Sequence, residues 1–301
     1  MKSLDHRAYQ SLLLIIAGLL CAALGGPAYA GDPAVPHIRY VAVDDPHEYG
    51  LGFLSDNKTL YIGGCRTLDV ERAALEGRCR YPENIKWGHV SPDGSLLLAT
   101  TISPGTSKSI SYQIDALTGH VQSSHPGMFF SPPVAVHPSN QFWAVPRAGK
   151  TAAASETISI VNRNWRTLKS GIYAGSQRLF SLQFSPDGTR LIANGGDSDD
   201  GAVISTATWE QDASTDARPK LNGLVAWSPD HRFGFRLSGK VGVVVDLTSQ
   251  DIVAQLEIDM TDEEPQAAFS GDNHWIAAKG YRLVNGERRY TVGLLEIPQH
   301  D

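Results

Sequence analysis

Short apolar runs separated by polar turns fill residues 38–298, and one unit returns along them. It is clearest where Leu182-Gln183-Phe184 runs into Ser185-Pro186-Asp187-Gly188 and the chain resumes as Leu191-Ile192-Ala193-Asn194. That pattern predicts strand, tight turn, strand. Asp187 accepts hydrogen bonds from nearby backbone N–H groups, Pro186 presets φ, and Gly188 tolerates positive φ. Variants stand at Ser91-Pro92-Asp93-Gly94, His137-Pro138-Ser139-Asn140, Ser228-Pro229-Asp230-His231, Ser270-Gly271-Asp272-Asn273 and Leu54-Ser55-Asp56-Asn57. The residue before each turn is large and apolar: Phe53, Val90, Val136, Phe184, Trp227 and Phe269. The one before that is mostly small: Gly52, Ala135, Ala226 and Ala268, with His89 and Gln183 as polar exceptions. Because successive side chains point to opposite faces, each first strand offers bulk to one neighbouring sheet and a shallow surface to the other.

The third turn positions, Asp56, Asp93, Ser139, Asp187, Asp230 and Asp272, are spaced by 37, 46, 48, 43 and 42 residues. A period of that size with about four short strands per unit predicts the blades of a β-propeller. The expected fold is therefore all-β, six blades of four strands, with seven blades as the alternative. Ile38 to Val43 reads as a strand outside the repeats, while the last repeat ends at its third strand, Tyr290 to Ile297. The N-terminal strand is thus expected to complete the last blade and close the ring.

Third strands repeat in part as well. Ile110 to Asp115 is followed by Ala116-Leu117-Thr118-Gly119, and Val241 to Asp246 by Leu247-Thr248-Ser249. With the S-P-D-G turns, this resembles the YVTN-type and TolB/PD40-type WD40-like propeller repeats, whose blades carry S-P-D-G and D-x-x-T-G turns. The resemblance spans most of residues 38–298 and implies architecture. It implies no single activity, since such propellers serve as enzymes, scaffolds and receptors.

Residues 1–30 read as a cleaved export signal: Lys2 and Arg7, an apolar run from Leu12 to about Leu24, then Ala28-Tyr29-Ala30. Residues 31–301 are expected to form a single propeller domain in the periplasm or outside the cell, a monomer without a membrane span after cleavage. A formal net charge of −6 argues against non-specific nucleic-acid binding.

Export also bears on the cysteines. Cys65 and Cys79 are the two that remain after cleavage, and an oxidising compartment favours a disulfide between them, worth about 3 kcal/mol in the chain-entropy picture. Two buried thiols are the alternative. Residues 66–78, bounded by these cysteines, read either as a two-turn helix or as a strand pair returning near Arg78 to Tyr81.

In a propeller the S-P-D-G turns lie on one face, and the connections between second and third strands and between blades lie on the other. The latter are the longer and more varied, so that face is the candidate functional face. Arg147 and Lys150 on one of its loops, with Arg282, Arg288 and Arg289 on Lys279 to Arg289, are candidates for an anionic ligand. His89 and Gln183 are candidate channel ligands. Asp197, Asp199 and Asp200 sit on a glycine-containing turn that suits a hard cation such as Ca²⁺, although Gly201 stands where a further ligand is needed; a solvated turn is the alternative, and no cofactor is expected. Asp259, Asp262, Glu263 and Glu264 form a second acidic patch. His137 reads as an exposed turn residue. No G-x-S-x-G motif is present, nor an S-x-x-K motif together with its S-D-N and K-T-G partners. The function expected is a binding or scaffolding module for a protein or small ligand, the partner another exported or envelope protein. The alternative is a hydrolase or lactonase-like enzyme with residues converging at the channel mouth.

Overall fold

A computed structural model describes residues 37–43, 49–76, 80–82, 84–102, 108–127, 133–147, 157–173, 179–195, 202–212, 224–238, 241–259 and 266–297. Residues 1–30, read as an export signal, and Cys79, Lys150, Asp197, Asp199 and Asp200 lie outside these residues. Six antiparallel sheets follow in chain order, and no helix occurs among the described residues.

Strand β1 (Ile38–Ala42) opens the described chain. Blade one holds β2 (Gly52–Phe53), β3 (Thr59–Tyr61), β4 (Thr67–Asp69) and β5 (Ala74–Glu76). Blade two holds β6 (Ile85–Val90), β7 (Leu96–Ile102), β8 (Ser109–Asp115) and β9 (Val121–Pro126). Blade three holds β10 (Ala135–Val136), β11 (Phe142–Arg147), β12 (Thr157–Asn162) and β13 (Thr167–Tyr173). Blade four has three strands among the described residues, β14 (Leu179–Phe184), β15 (Arg190–Gly195) and β16 (Ala202–Ser205). Blade five holds β17 (Leu224–Trp227), β18 (Phe233–Ser238), β19 (Val241–Asp246) and β20 (Ile252–Leu256). Blade six holds β21 (Gln266–Phe269), β22 (Trp275–Val284) and β23 (Glu287–Glu296). Its fourth strand is β1, paired antiparallel with β23 so that Ile38 lies opposite Leu295 and Ala42 opposite Thr291.

The first strands line the inside of the ring: β2 touches β6 and β21, β6 touches β10, β10 touches β14, and β17 touches β21. Blades four and five meet where Asn194 Nδ2 donates to the Leu224 carbonyl at 2.9 Å. The core is divided among the seams between blades. On β7, Leu97 and Ala99 pack with Leu54 and Tyr61 of blade one. Their neighbours Leu96 and Leu98 pack with Val136 and Trp143 of blade three. On β22, Ala277 faces blade one while Ile276 and Ala278 face blade five. Period-2 alternation thus serves two cores at once, which explains apolar runs such as Leu96 to Ala99, Trp143 to Val145, Leu191 to Ala193 and Trp275 to Ala278 on the second strands. Outer strands such as β9 have only one inner neighbour, and most of their residues are exposed or half-buried.

The repeated turn is built as its residue types require. In blades two, four, five and six the buried serine donates to the aspartate at 2.5–2.6 Å. The same hydroxyl accepts the N–H five residues on. The aspartate accepts the N–H two residues on. At Asp187 the Ser185 hydroxyl leads these bonds in holding the carboxyl down to about 2, against the pull of burial.

The fourth turn position has positive φ in all six blades: Asn57, Gly94, Asn140, Gly188, His231 and Asn273. It faces the preceding blade each time. Asn57 accepts from Gly271 N of blade six, Asn140 donates to Asp93 of blade two, and Asn273 accepts from Asp230 N of blade five. His231 helps to lower the Asp187 carboxyl. At Gly94 a Cβ would stand 2.4 Å from the Leu54 carbonyl carbon, and at Gly188 it would stand 2.4 Å from His137 Nε2.

Three sequence expectations change. Residues 66–78 form no helix where described; β4 returns as β5 through Ala73 at φ 49°, earlier in the chain than expected. His137 is not an exposed turn residue, because its ring stacks on Phe142 at 4.1 Å and meets Phe184 edge-on at 5.0 Å. Its Nδ1 accepts from Ser139 N, so Nε2 carries the proton and donates to the Gly188 carbonyl at 3.1 Å. Lys279 to Arg289 is not a loop but the far end of the β22–β23 hairpin, turned by Asn285 and Gly286 at φ 53° and 83°, the geometry of a two-residue type I′ hairpin.

Gly94→Ala and Gly127→Ala separate the two demands on such glycines. Both positions have φ near 70–76°, but nothing lies within 4 Å of a Cβ at Gly127. Gly127→Ala should cost ~1 kcal/mol, from the left-handed backbone alone. Gly94→Ala should cost ~2–4 kcal/mol, because the blade-one backbone must also move. Urea unfolding of both variants measures the difference, and equal losses would exclude the inter-blade contact as the reason for glycine.

Candidate functional site

The first strands enclose a cavity of about 450 Å³ on the ring axis, within the size range of small-molecule pockets. Its wall is tiered by the strand period. Next to the turns lies a belt of Phe53, Val90, Val136, Phe184, Trp227 and Phe269, and behind it a tier of Gly52, His89, Ala135, Gln183, Ala226 and Ala268. The small residues of the second tier keep the bore open where six strands converge. Tyr49, Ser181 and Gln266 contribute polar groups further from the turns, and Pro92, Pro138, Pro186, Pro229 and Gly271 line the end at the turn face.

Some of these polar groups have structural partners. Gln266 Oε1 accepts from Gly50 N at 2.9 Å, and the Ser181 hydroxyl accepts from Asn194 Nδ2 at 3.0 Å. Two do not. His89 Nε2 and Trp227 Nε1 are buried and make no hydrogen bond with the protein. Leaving such an atom unpaired costs ~1–3 kcal/mol. The His89 side chain as a whole is only partly covered, because it lines the cavity, but Nε2 is enclosed. Burial pulls the imidazole down to about 4, so it is neutral at pH 7. Blades two and five stand opposite each other in a ring of six, so the two residues belong to opposite sides of the ring, each with its nitrogen enclosed in the wall.

His89 and Gln183 therefore share one tier of one cavity. The arginines are distributed differently. Arg147 ends β11 in blade three, exposed, and Arg282 lies on β22 in blade six, across the ring. Arg282 covers the Tyr40 ring at 3.9 Å and pairs with Glu257 at 3.8 Å. Arg288 covers Tyr281 at 3.9 Å and pairs with Asp259 at 3.9 Å, and Arg289 pairs with Glu287 at 3.1 Å. Asp259 also exchanges both backbone hydrogen bonds with Tyr281, tying that part of the acidic patch to the hairpin. Cys65 is disulfide-bonded; its expected partner Cys79 lies outside the described residues. Among the described residues no group of three or more His, Cys, Asp or Glu side chains is arranged to hold a metal.

Sequence reasoning missed Trp227 and Gln266. Trp227 stands where every blade has a bulky apolar residue, so its indole N–H was hidden by the pattern. Gln266 was detectable as a polar residue opening an otherwise apolar inner strand.

No family model and no curated protein matches the chain. Among solved structures the chain is similar to one titled Kuenenia stuttgartiensis Hydrazine Synthase, at 12% identity and a TM-score of 0.52, over 85% of this chain and 97% of that one. At that identity the likeness is one of fold. In all, 676 chains of solved structures match, so the arrangement alone selects no activity.

Burial of a neutral His89 has a measurable consequence. Its folded value lies below the ordinary 6.5, so the unfolded chain takes up the proton first and stability falls as pH drops from about 6.5 towards 4. Between pH 7 and pH 5 the loss attributable to this residue should be ~1–2 kcal/mol. Chemical denaturation of His89→Gln at both pH values should show most of that slope gone. Among the described histidines His137 adds to the slope in the same direction, because burial lowers it even though its bond to the Gly188 carbonyl works the other way.

Proposed function

We propose that the chain is an exported binding or scaffolding propeller, of the kind represented by the YVTN and TolB-type repeats, which engages a protein partner through the face opposite the S-P-D-G turns. The observation that carries this reading is the blade-six hairpin. Strands β22 and β23 run on past the part of the sheet paired with β21, through Tyr281 opposite Tyr290 to Val284 opposite Glu287. Antiparallel order puts that end on the face away from the turns.

The hairpin is held in place before any partner arrives. Tyr281 and Tyr290 meet edge-on at 5.0 Å, Arg282 and Arg288 lie over tyrosine rings, and Asp259 is bonded to its edge. At its tip Leu283 is 72% exposed, the largest value among the exposed large hydrophobic residues described. A rigid apolar tip bordered by arginines suits protein recognition, where order in the free state reduces the entropy lost on binding. The turn face, by contrast, commits its polar side chains to neighbouring blades.

Export is supported by the basic, apolar and A-x-A pattern of residues 1–30 and by the disulfide at Cys65, which suits an oxidising compartment. We assign Cys79 as its partner. The partner protein belongs in the same compartment.

The test compares two exposed leucines. Mature protein is cross-linked to envelope proteins of its source, the captured partner is purified, and its affinity is measured for wild type, Leu283→Asp and Leu168→Asp. Leu168 is 57% exposed on the outer strand of blade three. Leu283→Asp should weaken binding at least ~10-fold and Leu168→Asp should leave it unchanged, with circular dichroism showing both folded. Equal affinities for all three proteins would sink the assignment of this face.

A further inference from the structure

We infer that Asn285 is a site of spontaneous covalent change: the Gly286 nitrogen displaces its side-chain amide, and the hairpin tip acquires aspartate or isoaspartate. The sequence contains three Asn-Gly pairs, beginning at Asn194, Asn222 and Asn285. A following glycine favours the reaction in each, since no Cβ hinders approach of its nitrogen to the asparagine Cγ. Asn222 lies outside the described residues. The structure separates the other two.

Asn194 lies inside blade four on β15, opposite Ser181 of β14. Its Nδ2 donates to the Ser181 hydroxyl at 3.0 Å and to the Leu224 carbonyl of blade five at 2.9 Å. Reaction there must release the amide from both bonds and draw a paired strand out of its sheet. Asn285 and Gly286, by contrast, are exposed and form the turn between β22 and β23, at φ 53° and 83°. Among the described residues neither the Asn285 side chain nor the Gly286 N–H has a hydrogen-bond partner. Nothing lies within 4 Å of a Cβ placed at Gly286. The ring contact that orders the hairpin, Tyr281 against Tyr290, lies further down the strands. Rotating the Gly286 nitrogen towards Cγ therefore opens only the turn, the kind of local excursion that costs least in a folded protein.

In the first step the Gly286 nitrogen bonds to Asn285 Cγ as the Cγ–Nδ2 bond breaks. The proton lost from the Gly286 nitrogen leaves with Nδ2 as ammonia, and a cyclic imide joins the two residues. Water then opens the imide. Attack at the side-chain carbonyl gives aspartate, and attack at the main-chain carbonyl gives isoaspartate. Both products place a carboxylate beside Leu283, among Arg282, Arg288 and Arg289. Isoaspartate also adds a methylene to the main chain of a loop whose length sets the pairing of β22 with β23. The change thereby remodels the docking surface, a consequence that rests on the function proposed above.

The test follows mature wild-type protein at mildly alkaline pH, folded in buffer or unfolded in urea. Samples taken over days are digested with trypsin and read by mass spectrometry, with isoaspartate and aspartate peptides separated by chromatography. In the folded protein the peptide from Leu283 to Arg288 should convert at least ~10-fold faster than the peptide carrying Asn194. In urea the two should convert at similar rates. Equal rates in the folded protein would overturn the inference. So would a difference that persists in urea, which would assign it to local sequence, or an Asn285 that converts only in urea, which would make the turn protective. The readout is a chemical change in the free protein, so it stands or falls separately from partner binding by Leu283.

Discussion

Every sheet in this protein is packed on both faces by other sheets, and that constraint governs the rest of the molecule. A blade cannot bury its apolar surface alone, because Leu96 and Leu98 need blade three while Leu97 and Ala99 need blade one. Its second strand must then be buried at nearly every position, as β7 is. An isolated antiparallel sheet with one wet face would alternate instead. Stability is therefore a property of neighbouring pairs, and a fault at one seam is felt by two blades. Blade six illustrates the demand most directly. Its fourth strand is the distant β1, and its seam with blade one buries Val292, Leu294 and Trp275 against Phe53, Leu60 and Leu68.

The turn follows from the same constraint. Sheets that meet face to face around an axis bring their turns within hydrogen-bonding reach of one another, so turn residues are selected for the neighbour as well as for local φ. That accounts for the asymmetry at the fourth position. Asparagine adopts the left-handed conformation and has a side chain that reaches the preceding turn, whereas Gly94 and Gly188 leave room for backbone or for His137. Blade three shows the exchange within one turn: the serine–aspartate pair is replaced by His137 and Ser139, and the imidazole both accepts the local N–H and extends to Gly188. Its aromatic contacts with Phe142 and Phe184 are why it is partly buried rather than exposed.

Features set by short-range chemistry were legible in the sequence, including all six turns and the alternation that feeds two cores. Features in which an unusual residue occupies a familiar geometry were not. The second type of turn was read from D-x-x-T-G in blade two and in part in blade five. Blade four makes the equivalent turn with Trp209 at φ 60°, and blade three makes one a residue shorter with Trp165 at φ 62°. A bulky residue is a poor candidate for that conformation by propensity. Here packing outweighs propensity: Trp165 lies edge-on to Trp143, and Trp209 to Phe142. The blade-six hairpin was missed for the opposite reason. Asn285-Gly286 is a strong hairpin signal, but the arginines around it drew attention as a charged loop. In the folded chain their guanidinium groups cover tyrosine rings and pair with carboxylates, which is what keeps an extended, polar hairpin ordered.

The axis of the ring is where the packing of six strands limits what their residues can be. Six converging strands leave a bore whose width is set by the tier behind the aromatic belt, and alanine or glycine at four of its six positions keeps that bore open. Open space lined only by small apolar groups would need no further explanation. Polar atoms placed there do, because each one loses hydration and gains nothing from the fold. Gln266 and Ser181 meet that requirement with bonds to Gly50 and Asn194, so they are accounted for as parts of the wall. His89 and Trp227 are not, and removing their polar atoms by leucine and phenylalanine would cost the ring no hydrogen bond within the protein at those atoms.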